Sequence, residues 1–119
     1  MNAYAIPGLK GVKIPSTIFK PIKVHSTEEI MNIICQECGT DIPQMRGRRR
    51  DRYIVESRQI LSYVMVKKVR ATLDYVGSYV LGGRDHTTII HSIRKFEALY
   101  ETDEAFREKA DRIFNKLTI

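Results

Sequence analysis

Residues 82–95 constrain the fold more than any other stretch, because they combine a tight turn with an amphipathic helix. The stretch begins with Gly82-Gly83, and glycine adopts positive φ angles at little cost. The next residues are mostly short and polar: Asp85, His86, Thr87 and Thr88. Such side chains, together with free backbone N–H groups, suit the exposed end of a helix that reads the major groove of DNA. The pattern predicts a helix-turn-helix over residues 72–100.

The charge of the chain favours an anionic partner. The net charge is +6, from 20 Lys and Arg against 14 Asp and Glu, and residues 46–52 contain five arginines in seven positions. Excess positive charge attracts polyanions and speeds their capture. On charge alone such a run is as often a solvated surface as a binding site. Beside a helix-turn-helix, contact with DNA phosphates or a groove is the favoured interpretation.

The composition is that of one folded domain. The chain has 119 residues, of which 43% are hydrophobic, and this share is ordinary for a globular protein. No apolar run approaches the roughly 18–20 residues of a membrane span. The first residues lack the charged start and apolar core of a signal peptide. We therefore expect a cytoplasmic, nucleoid-associated protein without membrane contact.

Two cysteines, Cys35 and Cys38, have C-x-x-C spacing. One such pair is half of a zinc site, and the sequence contains no second pair. The pair lies near the end of a predicted helix, where Cys35 is expected to pack as an apolar residue. No nucleophile–base pair or carboxylate pair stands out either. We therefore expect neither a metal nor another cofactor, and we do not expect an enzyme.

Residues 1–25 predict an irregular N-terminal arm, because prolines and glycines there interrupt any helix. The arm contains apolar residues that are costly to expose, which favours partial order. These are Ile14, Ile18, Phe19, Ile22 and Val24. Such an arm would pack along the domain, contact DNA, or bind a second copy of the chain or a replication protein. A disordered leader is the alternative.

Capping signals and periodicity predict an all-α domain of about five helices over residues 26–119. Ser26 and Glu29 form a capping box for a helix that ends near Cys38, with Gly39 just beyond it. A short helical turn is expected to place Met45 in the core. Longer helices are predicted at about residues 53–70, 72–80 and 85–100, and a last helix follows Asp103.

Apolar residues at helical spacing are expected to face the core. In the long helix these are Ile60, Leu61, Val64 and Val69, while Arg58, Gln59, Lys67 and Lys68 are expected on the polar side. In the helix after the glycines they are Ile89, Ile93, Phe96 and Tyr100, opposite Thr87, His91, Arg94 and Lys95. In the last helix they are Phe106, Ile113 and Leu117.

Several ordered motifs of the chain occur together in one known family. They are Gly82-Gly83-Arg84-Asp85-His86-Thr87-Thr88-Ile89-Ile90-His91, Arg94-Lys95, Ser57-Arg58-Gln59-Ile60 and Val76-Gly77. A basic loop, the arginine-rich residues 46–52, precedes all of these motifs along the chain. With the motifs and this loop, residues from about 26 to 117 resemble the C-terminal DNA-binding domain of the bacterial replication initiator DnaA. The resemblance implies sequence-specific recognition of duplex sites similar to the DnaA box.

The resemblance implies that Asp85, His86 and Thr87 lie near base edges in the major groove and that Thr88 lies near a phosphate. Arg84, inside the same motif, is a further DNA-binding candidate. The chemistry agrees, since Thr87 offers both a hydroxyl and a methyl group, which suits thymine, and His86 can donate to a purine N7 or a base carbonyl. Asp85 can accept from a base amino group, and it is also placed to cap the helix.

The resemblance also implies DNA contacts outside the start of that helix. In the family an arginine of the basic loop enters the adjacent minor groove, and Arg50 occupies the matching position. An arginine gains most there in A·T-rich DNA, where the negative potential is strong. Phosphate contacts are implied for Arg58, Gln59 and Lys95. His91 either faces the DNA backbone or packs at the helix surface.

The chain departs from the family pattern in several places. Residues 77–81 form a segment one residue longer than the family's usual spacing before the glycine pair. The connection between the two helices of the helix-turn-helix, here called the elbow, is therefore expected to differ from that of the family. Asp74-Tyr75 stands where the family often has Pro-Glu, and Val66 stands where a phosphate-binding lysine is expected. The sequence also contains no G-x-x-x-x-G-K-[ST] phosphate loop, so we expect no ATP hydrolysis.

The leading prediction is a non-enzymatic protein that binds duplex DNA at DnaA-box-like sites. It would serve in the control of replication initiation or in transcription regulation, and the sequence favours neither strongly. The alternative is a protein-interaction adaptor that retains the fold and binds a replication protein through the arm or the last helix. The intact residues 85–88 and the arginine run argue against the adaptor, which needs neither.

Overall fold

A computed structural model describes residues 26–117, which form six α-helices. In chain order they are α1 Thr27–Cys38, α2 Ile42–Arg46, α3 Arg52–Tyr63, α4 Leu73–Tyr75, α5 His86–Thr102 and α6 Glu104–Leu117. A π turn extends α3 over Val64–Lys68, and another extends α4 over Val76–Val80. The described range contains no strand, which confirms the predicted all-α class. None of its helices has the length and apolar character needed to cross a bilayer. The predicted arm, residues 1–25, lies outside the described residues.

The helix ends follow the capping signals of the sequence. Ser26 and Glu29 form the predicted capping box, with each side chain accepting a hydrogen bond from the other residue's backbone N–H. Gly39 ends α1 with a φ of 76°. Asp103 accepts from the backbone N–H of Phe106 at 3.0 Å and so caps α6. These contacts satisfy N–H groups that would otherwise have no partner within the helix.

The core is centred on Phe96, where α3, α5 and α6 meet. The ring of Phe96 stacks on Tyr63 with 4.2 Å between centroids, and it meets Phe106 and Phe114 edge-on at 5.5 and 6.0 Å. Tyr100, one turn further along α5, also stacks on Phe96. Because aromatic rings bury large areas, this cluster holds α5 firmly against the rest of the domain.

The long helix differs from its prediction beyond Tyr63. The π turn over Val64–Lys68 adds one residue to a helical turn, and this changes which later side chains face inward. Val69 is 40% exposed, so its expected core position is wrong. Ile60, Leu61 and Val64 are buried as predicted. Arg58 and Gln59, expected on the polar side, are also buried.

The elbow between α4 and α5 begins in the second π turn, Val76–Val80. The N–H of Leu81 donates to the carbonyl of Val76 at 2.9 Å, five residues back rather than four. The chain then turns sharply, so that the N–H groups of Gly83 and Arg84 both donate to the carbonyl of Gly77 at 2.8 Å. The two glycines of the turn have φ angles of 74° and 100°, as predicted.

Gly77 is the position of this elbow that tolerates a side chain least. A Cβ at Gly77 would overlap the carbonyl oxygen of Arg84. We expect Gly77→Ala to lower the free energy of unfolding by about 2–3 kcal/mol, because backbone has to move to relieve the overlap. The exposed neighbour provides the control, and Ser78→Ala should stay within about 0.5 kcal/mol of the wild type. Urea unfolding followed by circular dichroism measures both, and equal stabilities would contradict this account of the elbow.

Glu97 is a buried carboxyl on the inward side of α5. It is 2% exposed, and its Oε1 has no hydrogen-bond partner within the described residues. Burial raises the pKa of Glu97 to about 7, although the charge of Lys67 opposes the shift. The neutral acid is therefore the form that the folded state favours.

This burial predicts a pH-dependent stability. The pKa of Glu97 rises on folding from an ordinary 4.5 to about 7, so the unfolded chain loses its proton first. The contribution of Glu97 to stability therefore falls as pH rises between these values and is constant above them. Relative to the wild type, Glu97→Gln should gain about 2–3 kcal/mol between about pH 4 and pH 8. Urea titrations at several pH values measure this, with the exposed Glu108→Gln as control. Parallel curves for Glu97→Gln and the wild type would contradict the burial of an ionisable group.

Candidate DNA interface

The start of α5 presents short polar side chains to solvent. Asp85 caps the helix, since its Oδ1 accepts from the backbone N–H of Thr88 at 2.9 Å. This hydrogen bond lowers the pKa of Asp85 and keeps its carboxylate ionised. His86, Thr87 and Thr88 are all exposed. The first turn of α5 is therefore rigidly capped, and its side chains are accessible to a ligand.

The two faces of α5 divide as the periodicity predicts. The inward face is fully packed, and its predicted members Ile89, Ile93, Phe96 and Tyr100 are all buried. The predicted outward residues Thr87, His91, Arg94 and Lys95 are all exposed. His91 therefore lies at the helix surface. The exposed stripe gives α5 one free polar side along its first two and a half turns.

Arg84 ties the elbow to the basic loop, a role that sequence reasoning did not identify. Its guanidinium donates to the carbonyls of Leu81 and Gly47, and to that of Arg46 at 3.3 Å. Burial lowers the pKa of Arg84, and the nearby charge of Arg48 lowers it further. The arginine of the Gly-Gly-Arg motif thus holds the turn against the loop that precedes α3.

Arg58 has an equally structural position. Its Nε donates to the carbonyl of Met45 at 2.7 Å, and one terminal nitrogen donates to the carbonyls of Gln44 and Gly47 at 3.1 and 3.0 Å. The side chain is 9% exposed. Burial lowers its pKa, and the charge of Arg84 adds to the shift. One guanidinium of α3 therefore binds carbonyls at the C-terminal end of α2 and in the basic loop, and so holds both against α3.

A basic pocket of about 440 Å³ opens beside the N-terminus of α5. Its polar lining comes from the basic loop, α3, the elbow and the first two turns of α5. It consists of Arg48, Arg50, Arg58, Gly83, Arg84, Asp85, Thr88 and Ser92. Four guanidinium groups around one concavity concentrate positive charge, and the N-terminus of a helix adds partial positive charge. The arrangement is suited to an anion such as a phosphate group.

The pocket brings together five of the predicted site residues, namely Arg50, Arg58, Arg84, Asp85 and Thr88. His86, Thr87, His91 and Lys95 lie outside it, on the exposed side of α5. Gln59 lies on α3 and is only 7% exposed. Two lining residues with side chains that can bind an anion, Arg48 and Ser92, were not among the predicted site residues. The arginine run already signalled Arg48, and Ser92 follows Thr88 by one helical turn.

Cys35 and Cys38 are buried free thiols, 5% and 7% exposed. Loss of contact with water raises the pKa of each thiol to about 11. Both therefore remain protonated, and a protonated thiol is neither a good nucleophile nor a metal ligand. Within residues 26–117 there is no group of three or more His, Cys, Asp or Glu placed to hold a metal ion. The pair acts as part of the apolar core.

Comparison with known proteins agrees with this geometry. Residues 27–96 match the family described as bacterial dnaA protein helix-turn-helix. The chain belongs to this family. Residues 27–96 thus belong to a DNA-binding helix-turn-helix domain.

The relatives are much longer than this chain. The chromosomal replication initiator protein DnaA of Chloroflexus aggregans is 32% identical over 92 residues, which cover 77% of this chain and 19% of that protein. The protein of the same name from Zymomonas mobilis is 38% identical over 79 residues, which cover 66% of this chain and 16% of that protein. This DnaA-family chain therefore spans about a fifth of the length of the relatives it matches.

A solved structure shares the fold. It is described as a crystal structure of DNA replication initiation factor, and it superimposes with a TM-score of 0.62 at 22% identity. The match covers 76% of this chain and 29% of the other. The shared architecture is the helical domain that carries the basic pocket.

The buried position of Arg58 predicts a stability role for a residue first considered for DNA contact. Arg58→Ala should lower the free energy of unfolding by about 3 kcal/mol, because three backbone carbonyls lose a charged donor. Arg58→Lys should recover only part of this loss, since a single ammonium cannot reproduce the guanidinium fork. The exposed Arg50→Ala is the control and should change stability by less than about 0.5 kcal/mol. Thermal or urea unfolding measures all three. If Arg58→Ala proved as stable as Arg50→Ala, Arg58 would have no such structural role.

Proposed function

We propose that this chain binds duplex DNA sequence-specifically at sites similar to the DnaA box. The observation that carries the proposal is the placement of the capped, exposed first turn of α5 beside a pocket of four arginines. Base recognition requires short polar side chains at a helix end, and stable docking requires neutralised phosphates next to it. The domain offers both within one continuous surface.

In the proposed complex the first turn of α5 enters the major groove. Thr87 offers its methyl group to a thymine, and His86 donates to a purine N7 or a base carbonyl. Asp85 keeps one carboxylate oxygen on the backbone N–H of Thr88. A carboxylate has further lone pairs, so Asp85 can cap α5 and also accept from a base amino group. The two roles therefore do not compete.

The basic pocket is the proposed seat of a phosphate at the edge of that groove. Thr88 contributes a hydroxyl from α5, and Arg48 and Arg84 contribute charge from the basic loop and the elbow. Arg58 contributes mainly through its charge, because its Nε and one terminal nitrogen already serve backbone carbonyls. For the buried Gln59, a phosphate contact requires the amide to turn outward from α3.

Other exposed cations extend the proposed footprint. Lys95 continues the outward stripe of α5 and would contact a phosphate further along the groove, with His91 between it and the first turn. Arg50 is exposed in the basic loop and is the proposed minor-groove residue. A guanidinium suits that position because the potential of a narrow minor groove is strongly negative.

The proposed process is the control of replication initiation, as the names of the relatives suggest. Transcription regulation at the same kind of site is the second candidate. We propose no ATP hydrolysis for these 119 residues, whose sequence lacks the phosphate-loop motif, and a cytoplasmic, nucleoid-associated location. A single small domain usually binds DNA with modest affinity, so contact with a second copy or a replication protein through residues 1–25 would raise it.

Fluorescence anisotropy tests the proposal directly, with a duplex carrying a DnaA-box-like site against a scrambled duplex at near-physiological salt. We expect a preference of about tenfold or more for the site. Equal, salt-sensitive binding to both would contradict sequence-specific reading of this site. No binding at all would favour the alternative, an adaptor that keeps the fold and binds a replication protein.

Base reading by the first turn of α5 has its own test. Thr87→Ala and His86→Ala should each cost about 1–3 kcal/mol of binding free energy on the specific duplex and much less on the scrambled one. Both side chains are exposed, so neither change should unfold the domain. Lys116→Ala, on α6, is the control and should leave the preference unchanged. An equal loss on both duplexes would remove these two side chains from base recognition.

A further inference from the structure

Asp74 lies where the first turns of the two helices of the helix-turn-helix come close together. It belongs to the first turn of α4, and its Oδ1 lies 3.7 Å from Nε2 of His86, the first residue of α5. The hydroxyl of Ser78 donates to the same Oδ1 at 3.4 Å. The side chains of Asp74 and His86 are 73% and 59% exposed. A proposed base-reading residue therefore has a carboxylate partner on the neighbouring helix.

An ion pair this exposed contributes little to folding stability, because water screens it. The ion pair instead affects the orientation of the His86 imidazole. A carboxylate 3.7 Å from Nε2 attracts that edge of the imidazole and so favours one orientation of the ring. The two ring nitrogens point in widely different directions, so the Nδ1 edge of His86 is then turned away from Asp74. His86 is thereby partly preorganised before a ligand arrives.

The other carboxylate near His86 belongs to Asp85. Asp85 precedes His86 in the chain, and its Oδ1 accepts from the backbone N–H of Thr88 at 2.9 Å. That bond fixes Asp85 as the cap of α5. Among residues 26–117, Asp74 is the carboxylate that lies at ion-pair distance from a ring nitrogen of His86, and its Oδ1 also accepts from Ser78. Asp74 is therefore the acidic group that is placed to orient the ring.

We propose that Asp74 is a specificity-determining positioning residue, which orients His86 for base recognition at a cost in overall DNA affinity. The cost arises because the first helix of a helix-turn-helix lies against the DNA backbone, where a carboxylate repels phosphates. The inference rests on the proposed function.

A double-mutant cycle separates the two effects of Asp74. Asp74→Asn keeps an acceptor oxygen without the charge, Asp74→Ala removes both, and each is made with and without His86→Ala. Affinities for the specific and the scrambled duplex are measured by anisotropy. The exposed Glu108→Gln on α6 is the matched control for loss of one negative charge. Circular dichroism verifies that each variant is folded.

We expect both Asp74 variants to bind the scrambled duplex about two- to fivefold more tightly than the wild type, more than Glu108→Gln does, because a nearby repulsion is lost. Asp74→Ala should also lower the ratio of specific to scrambled affinity by about three- to fivefold, the size of one lost orienting contact. In the His86→Ala background Asp74→Ala should leave that ratio unchanged. A lowered ratio in Asp74→Asn as well would show that the charge of Asp74 orients the ring. An unchanged ratio in Asp74→Asn would show that the acceptor oxygen orients it. Either result supports the proposal.

Two results would overturn the role of Asp74 while leaving the proposed function intact. One is an unchanged affinity ratio in Asp74→Ala, and the other is a lowered ratio that persists without His86. A wild-type chain that does not prefer the specific duplex would instead overturn both proposals. The failure of one is therefore distinguishable from the failure of the other.

Discussion

The carbonyl oxygen of Gly47 accepts from two arginines, and the geometry of the proposed DNA-binding surface depends on this shared contact. Arg58 reaches it from α3, and Arg84 reaches it from the elbow before α5. The basic loop, the long helix and the helix-turn-helix are thereby joined at one backbone atom. A charged donor to a buried carbonyl is among the stronger hydrogen bonds of a protein. These bonds thus fix the backbone of the basic loop relative to α3 and α5.

The same contact brings like charges together. Arg84 lowers the pKa of Arg58, and Arg48 lowers the pKa of Arg84, so the arginines of the basic pocket repel one another. A bound phosphate would relieve this repulsion, and the relief would strengthen binding. Asp74 and Asp85 place negative charge at the starts of α4 and α5. In the proposed complex the surface would therefore combine attraction for the DNA backbone with acidic groups that favour correct docking.

Much of the fold follows from local signals that the sequence displays openly. The capping box at Ser26, the cap at Asp103 and the glycine turn all occur where the residue types predict them. Two side chains whose predicted burial is wrong, those of Val69 and Arg58, each have one physical reason for the difference. The prediction for Val69 assumes an α-helical period up to that residue, whereas the structure has a π turn over Val64–Lys68. Val69 is therefore exposed rather than in the core. Arg58 was expected outside because its acceptors belong to a loop whose position periodicity does not reveal.

The sequence by itself determined the helices, their caps and the identity of the exposed first turn of α5. These depend on interactions between residues a few positions apart, and such interactions are encoded in short patterns. Only the tertiary structure decided that Arg48, Arg58, Arg84 and Ser92 line one pocket and that Asp74 stands beside His86. Those neighbours come from separate helices and loops, and packing around the aromatic core sets the distances between them.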